Sequence, residues 1–495
     1  MQTINQLPAE ILLKVFSYLK YSQKLTVATT CKKWETLIFN GNLFEDFKIE
    51  GKHGFQCLTK YFEHNKLHRS QVHRLGITSK SYSTIEPTDI LPIPEQFPNL
   101  VELAWDHTES EFKANEIDEC EKIVNEQNAY HWKHITKFTE INQSSLSIAI
   151  LKNGGFCNLV ELDVDFLWSR DPVLLLRPNC KLFIQHLSNA PQLKRLTLHH
   201  GAITLLDLNE LHSHTKQLEV LCFNYMVVKD FASEQNLFVS STASGLIEFR
   251  ISGCSEETNK TVLTYIAGKY PNLKALKIHS PKNELHHVED LLVKIVSDSP
   301  HLETYDVNIH PITQNIIQAM DASSAKLKAI QIKLERDEDA LMQIKNLTAS
   351  NQKNFVETMK IVFHRLDYED AIGIAEYFNY LEELPKLKHL ELKGVRDCFY
   401  HLPKFPITGL LRKLKNLESL ILEDWIISFA SVDSLLRLVS GPRDKFETKL
   451  KSLILNDVDC KNMKKEEFLS FISKTCPKIS QFRITELSNN YDEED

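Results

Sequence analysis

Glycine is scarce in this 495-residue chain, with 14 residues, and that scarcity argues against disorder and low complexity. Paired cysteine motifs are missing as well. The ten cysteines stand at 31, 57, 120, 157, 180, 222, 254, 398, 460 and 476, with no C-x-x-C and no Cys/His spacing suited to zinc. Buried, reduced thiols in a cytoplasmic and/or nuclear protein are the expectation. No uncharged apolar run reaches membrane-spanning length, and no basic region followed by an apolar core opens the chain. Neither a membrane span nor a secretory leader is expected, so the sequons at Asn142, Asn259 and Asn346 carry no weight. Surplus positive charge is also absent. A net charge of -8 and a pI near 6.2 argue against general nucleic-acid binding. The chain has no GxxxxGK[ST] phosphate loop, no GxSxG elbow and no HExxH, so no catalytic residue, metal or cofactor is assigned. His199 and His200 fall on opposite faces of a strand end, which is poor geometry for a shared metal.

What is present is a repeat. Apolar-x-x-apolar-x-apolar recurs along the body. Leu100/Leu103/Trp105, Leu159/Leu162/Val164, Leu193/Leu196/Leu198, Leu273/Leu276/Ile278, Leu387/Leu390/Leu392 and Leu450/Leu453/Leu455 are clear copies. Val72/Leu75/Ile77 is an irregular first copy and Ile135/Phe138 a poor one. Fourteen intervals between residues 72 and 479 average about 29 residues. The closing Leu-x-Leu has period two, a short strand with one face inward, and amphipathic stretches between copies read as helices. Pro98, Pro191, Pro271, Pro300, Pro385 and Pro477 each stand two residues before the first apolar position. There a proline is expected to end the preceding helix and lead extended backbone into the strand. Residues 107 to 131 and 335 to 355 interrupt the spacing and read as surface helices or loops. A non-repeat α/β domain would show continuous apolar strands instead of this alternation.

The first fifty residues follow another pattern. Ile11, Leu12, Val15, Phe16 and Leu19 have helical spacing after Leu7-Pro8. Leu25, Val27 and Ala28 make a second apolar stripe, and Cys31, Trp34, Leu37 and Ile38 a third. Three short helices cannot close a substantial core alone, so a partner is expected.

LPAEILLKVFSYL followed by CKKWETL resembles an F-box over roughly residues 4 to 47; Thr30 stands before Cys31 where that family usually has an apolar residue. The repeats resemble the cysteine-containing class of leucine-rich repeats often joined to F-boxes. Residues 249 to 276 show it best, with Cys254 at the buried-cysteine position and Cys476-Pro477 matching the class's Cys-Pro; Cys222, inside a strand, is not an equivalent.

The resemblance implies an α/β protein: a small three-helix F-box at residues 1–48, a linker and irregular first repeat at 49–95, a curved leucine-rich-repeat solenoid at 96–489 and an acidic tail at 490–495. Parallel strands would line its concave face and helices its convex face. It implies docking to the Skp-type adaptor, and through it to cullin, by Leu7, Pro8, Ile11, Leu12, Val15, Phe16, Leu19, Leu25 and Trp34. The repeats would hold a protein substrate for a Skp–cullin–F-box ubiquitin ligase in the Ubl conjugation pathway, the chain itself doing no bond chemistry. Outward strand positions are the candidate substrate contacts: Glu161, Asp163, Arg195, His199, Arg250, Lys277, Lys333, Lys360 and Lys393. Their face is expected to run from acidic to mixed or basic, orienting a ligand by charge. Two alternatives are an F-box adaptor that does not direct degradation and a plain repeat scaffold whose N-terminal helices are a cap.

Overall fold

The computed structural model describes residues 4–486, apart from 20, 41–44, 80–84, 108–115, 143, 167–177, 230–242, 281–287, 335–336, 364–378, 395–403, 406–409, 412, 428–447, 459–468, 471 and 475. The acidic tail at 490–495 and His286-His287 lie outside these residues. The chain divides into two compact units, Met1–Leu246 with Ile251–Thr261, and Ile247–Arg250 with Val262–Asp495.

The first unit opens with helices α1 (Ala9–Ser17), α2 (Tyr21–Ala28) and α3 (Lys32–Asn40). Strands β1 (Asp46–Glu50), β2 (Arg74–Thr78), β3 (Glu102–Asp106), β4 (Lys137–Ile141), β5 (Glu161–Asp165) and β6 (Arg195–His199) follow, then β7 (Ala202–Thr204), β8 (Val220–Asn224) and β9 (Val227–Lys229). Strands β1 to β6 and β8 pair parallel in sequential order, with equivalent residues opposite each other, as in Leu162↔Leu196 and Leu196↔Leu221. The short β7 and β9 pair separately.

Strand β10 (Glu248–Ser252) carries the division between the units. In the second unit β11 (Ala275–His279), β12 (Thr304–Val307), β13 (Ala329–Leu334), β14 (Thr358–Phe363) and β15 (His389–Lys393) run parallel, joined by β17 (Ser419–Glu423), β19 (Ser452–Val458) and β20 (Gln481–Glu486). Strands β16 (Lys404–Phe405) and β18 (Ile426–Ile427) form a small pair. In both units the Leu-x-Leu residues are buried while most residues between them face out, as period-two alternation requires, with Cys222 and Gln331 buried as exceptions.

The residue leading many of the copies closes a turn. The Leu100 amide donates to the Phe97 carbonyl (3.0 Å), Leu193 to Ala190 (3.1 Å), Leu302 to Ser299 (3.1 Å) and Ile479 to Cys476 (3.1 Å). Pro98, Pro191, Pro300 and Pro477 are the second residues of these turns, where a fixed φ is already correct. Extended backbone therefore begins later than expected from the prolines: β6 starts four residues after Pro191. Copies without proline make the same turn, as Leu159 to Phe156 (3.1 Å) and Leu417 to Leu414 (3.1 Å).

Several strands also end alike. Asn142, His200, Tyr225, Gly253 and Asp424, each one residue past a strand, have φ of 65°, 53°, 55°, 69° and 62°. Only one of the five is glycine, although this left-handed region disfavours residues with a Cβ.

The poor copy at Ile135/Phe138 has a structural reason. Its third inward position is Glu140, fully buried, whose carboxyl oxygens accept the amides of Leu146 (3.0 Å) and Ser147 (2.7 Å) at the start of the helix Ser145–Lys152. A carboxylate there satisfies amides that no helical carbonyl can reach. The two interruptions are helical where described: Glu116–Ile123 and Glu126–Tyr130 in the first, Asp337–Thr348 in the second.

The segment 49–95, read from sequence as a linker and an irregular first copy, holds the end of β1, helix α4 (Gly51–His64) and β2. Phe47 and Ile49 of β1 are buried opposite Leu75 and Ile77. This extra copy, Phe44/Phe47/Ile49, has the apolar spacing of the others but overlaps the end of the segment that resembles an F-box, which hid it from the repeat pattern. It also seats the N-terminal helices. Phe39 of α3 stacks on His68 (ring centroids 3.7 Å, 21°) and on Tyr61 of α4 (5.9 Å, 12°). Lys24 of α2 is buried, and burial lowers its pKa against the charge of Asp46.

Candidate protein-docking surfaces

Helix α1 carries two apolar faces. Leu12 and Phe16 are buried, and Phe16 meets Trp34 of α3 edge to face (5.4 Å, 61°). Ile11 and Val15 point outward, 47% and 41% exposed, with Tyr18 at 79% and Ile4 at 50%. Four of the nine large apolar side chains that stand exposed among the described residues thus fall between residues 4 and 18. A helix turns roughly 100° per residue, so Ile11, Val15 and Tyr18 share one face, and Leu12 and Phe16 another.

Of the residues expected to dock an adaptor, Ile11, Val15 and Pro8 are exposed, Leu7, Leu19 and Trp34 half-buried, and Leu12 and Phe16 internal. The side chain of Leu25 lies outside the described residues. Tyr18 and Ile4 were missed, although Tyr18 stands seven residues after Ile11, a spacing that marks the same face.

The outward strand positions form ion-pair ladders. In the first unit Glu161 receives Lys137 (3.0 Å) and Arg195 (3.7 Å) from the two flanking strands, and His199 meets Asp163 (2.8 Å). In the second, Glu248 takes both Arg250 (2.5 Å) and Lys277 (3.0 Å), Lys360 meets Glu391 (2.5 Å), and Lys393 pairs with Glu423. Strand β13 contains Lys333, but its side chain is outside the described residues. A second ladder lies just before the strands: Lys194–Glu219 (2.8 Å) in the first unit, and Lys328–Glu303 (2.8 Å), Lys388–Glu357 (3.0 Å) and Lys451–Glu418 (2.6 Å) in the second. Hydrogen bonds from Lys388 and Lys451 hold the Glu357 and Glu418 carboxyls below their usual range.

Most of the charges expected to contact a substrate are engaged in ion pairs, nearly all of them with neighbouring strands. Such exposed or partly exposed pairs contribute little stability each and leave little field for steering.

One part of the first unit departs from this balance. Asp106 accepts the Asn142 amide side chain (3.0 Å), and Asp165, 4% exposed, accepts the Asn142 backbone amide (3.2 Å) and meets His200 Nδ1 (2.8 Å). Burial holds the Asp106 carboxyl above its usual range, opposed by the Asn142 hydrogen bond and reinforced by Asp165. The two histidine rings lie 6.2 Å apart and engage Asp163 and Asp165 of the same strand; His200, at φ 53°, stands past the end of β6 instead of on its opposite face, so the expected divergence does not occur. No cluster of three potential metal ligands occurs among the described residues. Burial pushes the thiols of Cys254 and Cys180 up to about 11 and about 12. Both are inert side chains at neutral pH; Cys57, by contrast, is exposed.

Residues 4–49 match the F-box-like family, so an F-box-like domain precedes the strand array. No curated protein matches the chain. A chain in the crystal structure of the TLR13–ssRNA13 complex is similar at 14% identity and a TM-score of 0.35. That likeness covers 82% of this chain and 45% of the other, so this chain spans less than half of that chain's length. No helix among the described residues is long and apolar enough to cross a membrane.

Proposed function

We propose that this protein is the substrate-recognition subunit of a Skp–cullin–F-box ubiquitin ligase, cytoplasmic and/or nuclear, with its strand array a leucine-rich-repeat solenoid. The observation that carries the reading is the exposed Ile11/Val15/Tyr18 face of α1 within a segment of F-box-like sequence. An apolar face of this size, set on a small domain whose core is closed by Leu12, Phe16 and Trp34, fits a helix-binding groove on a Skp-type adaptor. The Phe39–His68–Tyr61 stack seats these helices on α4 and the turn that follows it, so adaptor and repeats are coupled through packed side chains. The chain supplies proximity: a substrate on the repeats meets the ubiquitin-loaded enzyme at high effective concentration.

The test uses side chains that leave the core intact. Ile11→Asp with Val15→Asp is expected to lower capture of the Skp-type adaptor at least tenfold, with an unchanged melting temperature. Capture equal to that of the unaltered protein would refute the reading. A Leu12→Asp variant cannot serve, because it places a carboxylate in the domain core.

A further inference from the structure

Tyr225 is an exposed aromatic in a place that disfavours one. It follows β8 with φ 55°, a left-handed conformation costly for a bulky side chain, and the residue remains 55% exposed. The ring is nevertheless held in place. It lies parallel to the His200 ring (5.1 Å, 12°), and a Cβ on Gly253 would come within 2.3 Å of it. His200 is in turn anchored by the buried Asp165. A continuous series of contacts, Asp106–Asn142–Asp165–His200–Tyr225, thus runs across successive strand ends of the first unit.

Charge singles out the same place. The outward positions of β3, β4 and β5 hold Glu102, Asp106, Glu161 and Asp163 against one lysine, Lys137, with Asp165 buried at the end of β5. Lys137 and Arg195 both reach Glu161. Asp106, Asp163 and Asp165 are held by Asn142, His199 and His200, groups without a permanent positive charge. Asp163 connects towards the tyrosine through His199 (2.8 Å) and Asn224 (3.4 Å from His199), the residue before Tyr225.

We propose that the rim around Tyr225, with the outward carboxylates of β3 to β5, docks a basic segment of a protein partner. The aliphatic stem of an arginine or lysine packs on the pre-positioned phenol, and its cation lies over the Asp163 side of the rim. The fixed ring reduces the ordering cost of binding, and Asp106 and Asp163, held by Asn142 and His199 and by no lysine or arginine among the described residues, select for positive charge. The occupant is the protein substrate of the adaptor reading above, on which this inference rests.

The test measures fluorescence anisotropy of labelled nona-arginine and nona-glutamate peptides with the full chain at about pH 7.5. Nona-arginine is expected to bind at least tenfold more tightly than nona-glutamate. Tyr225→Asn, which removes the ring and puts a residue tolerant of positive φ in its place, is expected to weaken nona-arginine binding at least fivefold without lowering the melting temperature. Asp163→Asn and Gly253→Ala are expected to weaken it too, the second by displacing the ring. Binding unchanged by Tyr225→Asn overturns the proposal. So does a loss on Glu357→Gln as large as on Asp163→Asn, which would mean general attraction to an acidic protein. If Tyr225→Asn does not fold, Asp163→Asn measured against Glu357→Gln decides. Adaptor capture is measured in parallel: its loss with Ile11→Asp/Val15→Asp, peptide binding intact, separates failure of the adaptor face from failure of this rim.

Discussion

Glu140 shows how one residue can disrupt a sequence pattern and still serve the fold. It occupies a core position, where its carboxyl binds two amides of a following helix. Replacing it with alanine strands those amides in the core, and a loss of about 3 kcal/mol is expected, read as a lower midpoint in urea unfolding. Glu140→Gln, which keeps one acceptor oxygen, should lose less. His199 carries a pH dependence. Burial opposes its protonation, but the hydrogen bond to Asp163 and the charges of Asp163 and Asp165 outweigh that, leaving its pKa above 6.5. A raised folded-state pKa gives stability that is complete below the unfolded value and lost as pH rises through the folded one. The stability advantage of the unaltered protein over His199→Gln should therefore be larger at about pH 6 than at about pH 8. Equal advantages at both would show that the pair does not take up a proton on folding.

At the scale of elements, the strands follow directly from the sequence, because period-two burial needs only the local alternation of Leu and polar residues. The prolines were legible in position but not in role. The Leu193–Ala190 bond places Pro191 inside a tight turn, where its ring restricts the unfolded chain without costing a donor. Pro191→Ala is expected to destabilise by about 0.5 kcal/mol, read as a small fall in thermal midpoint. A larger loss would mean that the ring packs as well as constrains. The split of α1 into inner and outer faces was less legible. Ile11 and Leu12 are adjacent and equally apolar, and only the position of α3 shows which one is covered. Tyr18 belongs to the outer face by spacing, yet its phenol does not stand out in an apolar count.

At the scale of the whole molecule, the two proposed functions fall on different features. The N-terminal helices present an apolar face while their core is complete, as expected for a module that meets its partner after folding. The strands present charge, most of it engaged in ladders. Summing outward charges along the sequence gave a gradient, whereas the parallel register sets Lys and Glu from copies about 30 residues apart side by side. In the first unit the ladders leave over the acidic rim beside Tyr225, the surface proposed for recognition. The adaptor face and this rim rest on separate residues, so a variant of one should leave the other intact.

The sequence by itself determined the repeat, the strand positions and the F-box-like character of the first fifty residues. Each depends on periodicity and spacing along the chain. Only the tertiary structure decided which apolar residues of α1 face out, which charges meet, and that Tyr225 is held by His200 and Gly253. Those outcomes depend on residues brought together from copies 25 or more positions apart, and local patterning does not encode such contacts.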